Sequence, residues 1–121
     1  MGRLVLTVDD SRTIREMVSF TLKGIGFDVI EADDGQAALG LLNSHKPDLI
    51  ISDVNMPNMD GFTFVSSVRQ LPQFKATPIL MLTTEYTEDK KNSGRSAGAT
   101  GWIVKPFDPE KLIQVVQKIC V

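Results

Sequence analysis

Five short apolar runs recur along the chain, and each is followed by a stretch in which apolar side chains return every three or four residues. The runs are Leu4 to Val8, Asp28 to Ala32, Asp48 to Ser52, Pro78 to Leu82 and Trp102 to Val104. Most are apolar at consecutive positions, as a strand must be when both faces of a parallel sheet are covered. Ile14, Met17, Val18, Thr21, Leu22 and Ile25 share one helix face, as do Leu112, Val115, Val116 and Ile119. Ala37, Ala38, Leu41 and Leu42 form another stripe, and Val65, Val68 and Leu71 a further one. Residues 86–97 carry the weakest helical pattern, being mostly polar with Gly94 inside. Gly24 and Gly26 are expected to end the first helix, Lys46-Pro47 the second and Gly98 the fourth. Ser11 and Asp108 are expected N-caps, the latter followed by Pro109.

Alternating strands and helices predict a doubly wound α/β fold with a five-stranded parallel sheet and five helices, since parallel neighbours need right-handed crossovers. The mixed polarity of residues 28–32 marks that strand as an edge. At 121 residues there is room for one domain and one core. A net charge of −2 gives no general affinity for nucleic acid. No apolar run approaches the roughly 20 residues that span a bilayer, so no membrane association is expected. The single cysteine, Cys120, has no internal partner and reads as a small hydrophobe in a reducing, cytoplasmic setting. The only histidine, His45, sits at a helix end and not at the exposed helix midpoint that phosphotransfer requires. Phe27, Phe62, Phe64, Phe74 and Phe107 read as core.

Chemistry collects where the strands stop. Asp9 and Asp10 follow the first strand, and Asp53, Asn55, Met56 and Pro57 the third. Thr83, Thr84 and Glu85 follow the fourth, and Lys105 and Pro106 the fifth. In a parallel sheet these positions share the edge at the carboxyl ends of the strands, where such folds bind ligands. Packed carboxylates repel one another unless a cation lies among them. Oxygen donors without Cys or a nearby His favour Mg²⁺, or Mn²⁺, over softer metals. Lys105 adds a charge suited to a phosphoryl oxygen, and Thr83 a hydroxyl donor. Together they form a site in which a phosphoryl group could move to the carboxylate of Asp53.

These residues resemble a known family. Val8-Asp9-Asp10-Ser11, Ser52-Asp53-Val54-Asn55-Met56-Pro57, Met59-Asp60-Gly61, Leu82-Thr83-Thr84 and Val104-Lys105-Pro106-Phe107 are similar to the signature set of bacterial response-regulator receiver domains, most of all the stand-alone chemotaxis type. The resemblance runs over residues 1–121 as one receiver domain with no output domain. It implies a flavodoxin-like sheet of order 2-1-3-4-5, an order taken from the family and not from the residues. It implies that Asp53 accepts a phosphoryl group from a histidine kinase of the chemotaxis type. Asp10 and Asp53 would bind Mg²⁺ by their carboxylates, Asn55 by its backbone carbonyl and Asp9 through water. Thr83 would hydrogen-bond the phosphoryl group, and Lys105 would pair with it across a cis bond to Pro106. Asn55 and Glu85 would tune a fast spontaneous loss of phosphate.

Trp102 holds the position of the family's switch aromatic, and a bulky Thr84 beside it would restrict the ring. The output surface implied is residues 86–95 with Trp102 and the start of the last helix, including Lys90, Lys91 and Arg95. Its basic, sparsely apolar character differs from the usual flagellar-motor face, so the motor switch stands only as a candidate target. A phosphatase is a further candidate partner, and a monomer is expected. Two other readings stay open from sequence: a phosphohydrolase with an Asp nucleophile, and a receiver that only binds partners. The first lacks a second acid two residues beyond Asp53, where Asn55 stands, and the second leaves the acidic set and Lys105 without a use. There is also no Gly-rich phosphate loop for a nucleotide.

Overall fold

The computed structural model describes residues 3–84 and 88–120. The strands are β1 (Arg3–Val8), β2 (Phe27–Ala32), β3 (Leu49–Asp53), β4 (Ile79–Thr83) and β5 (Gly101–Val104). They alternate with α1 (Arg12–Lys23), α2 (Gly35–Leu41), α3 (Gly61–Arg69), α4 (Glu88–Ala97) and α5 (Pro109–Ile119). All strand pairs are parallel, in the order β2-β1-β3-β4-β5. This is the expected architecture, with β2 on an edge as its polarity foretold. Every residue of β3 and β4 is buried, while β2 is buried only at its two ends and leaves Asp28 and Glu31 exposed.

The helices cover both faces of the sheet and build two hydrophobic layers. Val18 and Leu22 of α1 and Leu112 and Val116 of α5 pack on Val5, Ile51, Leu80 and Ile103. On the other face Ala38, Phe64, Val65 and Val68 pack on Leu6, Val8, Ile50 and Met81. Phe27, Phe64 and Phe74 are buried, and Phe62 and Phe107 pack half-buried against these layers. Cys120 joins the α1–α5 layer, and burial pushes its thiol pKa up, away from a reactive thiolate.

The helix starts are fixed by side chains. Ser11 and Asp108 accept from Ile14 and Lys111 N–H, as expected, and Asp34 and Asp60 do the same for α2 and α3. Each such cap contributes about 1 kcal/mol. Strand limits differ from expectation by one residue, and the largest difference is at α2, which stops at Leu41, well before Lys46-Pro47. Asn43 and Ser44 favour turns over helix, and His45 N–H closes back on the Leu41 carbonyl at 2.9 Å.

Candidate functional site

The sheet delivers Asp9, Asp53, Thr83 and Lys105 to one edge because four strands stop in step. Backbone bonds lock the strand ends together: Asp9 N–H to Ala32 O, Val54 N–H to Leu82 O, and Lys105 N–H to Thr83 O. Helix α3 closes in from above. Gly61 makes that approach possible, since a Cβ there would lie 2.3 Å from the Asp53 carbonyl oxygen and 2.8 Å from the Val54 Cα. Asp60 and Gly61 therefore act as a unit, one capping α3 and the other letting it touch the end of β3.

Asp9, Asp53 and Thr83 are buried, and Asp10 is exposed at the mouth. Carboxylate oxygens of Asp9, Asp10 and Asp53 lie within 4.8 Å of one another. The Lys105 ammonium bridges two of them, 3.0 Å from Asp9 Oδ2 and 3.2 Å from Asp53 Oδ1. Asp9 Oδ1 accepts from Ser11 N–H at 2.9 Å, and Asp53 Oδ1 from Val54 N–H at 2.9 Å. The Lys105–Pro106 bond is cis, as the resemblance implied.

Burial, then the charge of Asp9, raise the Asp53 pKa, against the pull of Lys105. Burial works to lower the Lys105 pKa, but the hydrogen bond and charge of Asp9, then the charge of Asp53, outweigh it, and the net shift is upward. The pocket thus holds a surplus of negative charge that one lysine does not fully offset. An oxygen-only donor set with one exposed and two buried carboxylates fits a hard divalent cation, which would relieve the strain on Asp53.

Asn55 lies exposed in the loop after β3. That loop is tied to the start of α2 by Asn58, whose amide donates to Asp34 Oδ2 at 3.2 Å from a left-handed backbone with φ 69°. The Ala37 N–H and then Asn58 hold the Asp34 carboxyl below its ordinary pKa. Glu85, together with Tyr86 and Thr87, lies outside the described residues. Lys90 and Lys91 are on α4, Lys91 half-buried and Arg95 exposed. A cavity of about 280 Å³ opens between α4 and β5, lined by Lys91, Arg95, Ala99, Thr100, Gly101 and Trp102.

Residues 5–117 match the family model of the response regulator receiver domain. The chain is a response regulator receiver domain. The receiver is 53% identical to the chemotaxis response regulator CheY4 of Vibrio cholerae, with a TM-score of 0.95 over 98% of this chain and 99% of that one. It is 38% identical to the chemotaxis protein CheY of Pseudomonas aeruginosa, covering 95% of this chain and 94% of that protein. It is also 39% identical to a segment of the sensor histidine kinase CheAY of Helicobacter pylori, of which it spans 15%. It spans about half the length, 52%, of other curated relatives. The family is that of two-component response regulators, and the Vibrio and Pseudomonas relatives named above are themselves chemotaxis proteins. Among the described residues, no helix is long and apolar enough to cross a membrane.

Of two residues of consequence, one had no sequence signal and the other only a partial one. Arg69, at the end of α3, donates from Nε to Gly98 O at 3.0 Å and from Nη1 to Phe74 O and Thr77 O, each at 2.7 Å. It thereby pins the end of α4 to the loop before β4. Gly94 is buried against Trp102, although its sequence position marks it only as a helix breaker.

Proposed function

We propose that the receiver is a phosphorylation switch in which Asp53 takes a phosphoryl group from the phosphohistidine of a chemotaxis-type kinase. One observation carries the reading: a buried carboxylate with a raised pKa, a lysine ammonium 3.2 Å away and two further carboxylates within 4.8 Å. A carboxylate oxygen of Asp53 attacks phosphorus, the phosphorus–nitrogen bond breaks, and the departing imidazole keeps the electron pair and takes up a proton.

Asp10, Asp53 and the Asn55 carbonyl are the groups that would hold Mg²⁺, or Mn²⁺. Asp9 has both oxygens engaged by Ser11 and Lys105, which suits a ligand acting through water. The metal, when bound, supplies positive charge beside the transferred oxygens. Lys105 faces Asp53 and pairs with a phosphoryl oxygen, and the Thr83 hydroxyl donates to another. Asn55 and Glu85 set how water reaches the phosphoryl group, and with it the lifetime. Trp102 and α4 carry the change to the surface holding Lys90, Lys91 and Arg95, where a protein target binds. The flagellar motor switch is the candidate target and a phosphatase a candidate regulator, for a cytoplasmic monomer. Beyond accepting and losing its own phosphoryl group, the receiver turns over no substrate.

Acetyl phosphate with Mg²⁺ tests this directly. The chain gains one phosphoryl mass, Asp53→Asn gains none, and EDTA abolishes the gain. Mg²⁺ alone stabilises the wild type at pH 7 by about 2.7 kcal/mol at a hundredfold excess over Kd, seen as a rise in Tm. No mass gain by the wild type would end the proposal.

A further inference from the structure

We propose that Gly94 is a positioning residue of the switch, and that its missing side chain is the seat that fixes where the Trp102 ring rests. This rests on the reading of Asp53 and Trp102 as a coupled switch. Apart from proline, glycine is the poorest helix former, and α4 has few apolar residues to compensate for it. A Cβ at position 94 would lie 2.8 Å from Trp102 Cζ3, 3.2 Å from Cε3 and 3.6 Å from Phe62 Cε1. Cζ3 and Cε3 belong to the six-membered ring of the indole, which reaches farther from the backbone than the single ring of phenylalanine. The bare backbone of Gly94 and the longer reach of Trp102 are therefore matched in size.

Phe62 closes the other side of the seat, stacked on Trp102 with ring centroids 6.3 Å apart and planes inclined by 16°. The indole N–H is buried and finds no hydrogen-bond partner among the described residues. A buried, unpaired donor is costly, so the seated ring is held by shape while its polar group opposes the arrangement. A second ring position that offered an acceptor would remove that penalty, which is the property a two-position element requires. Gly94 lies one turn before Gly98, where Arg69 anchors the helix. A shift of the ring is thus felt by α4 close to its fixed end.

A double-substitution cycle on the unphosphorylated chain tests the seat without metal or phosphodonor. In a Trp102→Phe background, Gly94→Ala raises Tm by about 3 °C, as relief of a helical glycine does. In the Trp102 chain the same change lowers Tm and shifts the tryptophan emission to longer wavelength, because the ring is pushed towards water. An equal rise in both backgrounds, or an unmoved emission, overturns the proposal. With acetyl phosphate and Mg²⁺, the wild type and Gly94→Ala gain the same mass, but the emission change on phosphorylation falls to half or less in the variant. An equal emission change at equal mass gain also overturns it. If neither chain gains mass, the Asp53 reading fails, and the thermal cycle still decides the seat.

Discussion

At the carboxyl ends of β1 and β3 the side chains are held by charge and directed hydrogen bonds, whereas at the edge strand β5 Trp102 is held by shape. Lys105 ties Asp9 to Asp53, and both acids also accept from backbone N–H groups. Trp102 has a ring stack, a glycine seat and an N–H without a partner among the described residues. A site for chemistry must hold its groups within tenths of an ångström before the reaction, which directed bonds do. An element that reports the reaction must have two positions of nearly equal free energy, which shape with one opposed polar group permits. The contrast teaches where to expect large and small responses to substitution.

The largest effect should come from Lys105→Met. It leaves two buried carboxylates without their counter-charge and costs about 3 kcal/mol at pH 7 by urea unfolding. The loss shrinks at acid pH as Asp53 takes up a proton; a pH-independent loss would mean that Lys105 acts by packing alone. Next, Arg69→Met strands carbonyls of Phe74, Thr77 and Gly98 and costs about 2 kcal/mol. A loss as small as that of a surface arginine would show that the end of α4 is fixed by other means.

Asp53→Asn should move the other way. The folded chain raises the pKa of Asp53, so protons bind it more tightly in the native state than in the unfolded chain. Its contribution to stability is complete below its ordinary value of 3.8 and is lost as pH rises through the raised value. Asparagine never ionises. The Tm advantage of the variant is therefore absent at acid pH and grows to a few degrees towards neutrality, where Mg²⁺ cancels it in the wild type. A gap independent of pH would break the account of the pocket as charge-stressed. The smallest effect belongs to Phe62→Leu, which keeps the apolar contact but removes the ring stack, at about 1 kcal/mol. Trp102 emission should shift by more than this modest loss of stability would lead one to expect.

The alternation of runs and stripes made the fold legible, because a strand buried on both faces and a helix buried on one leave different apolar periods. The acidic set was legible for a related reason. Asp9, Asp53, Thr83 and Lys105 each stand at a strand end, and in a parallel sheet strand ends meet. The caps at Asp34 and Asp60 were harder to see, since an Asp before Gly reads equally well as a turn. The end of α2 was misjudged because Pro47 is a strong stop signal, and the weaker turn formers Asn43 and Ser44 act first.

By itself, then, the sequence determined the element order, the layers and the residues brought to the carboxyl edge, since these follow from local period and chain direction. Tertiary structure alone decided that Lys105 pairs with Asp9 as well as Asp53, that Gly61 touches the backbone of β3, and that Gly94 seats Trp102. Each of these depends on how closely two elements approach. That distance is set by the packing of side chains far apart in the chain, which no local pattern records.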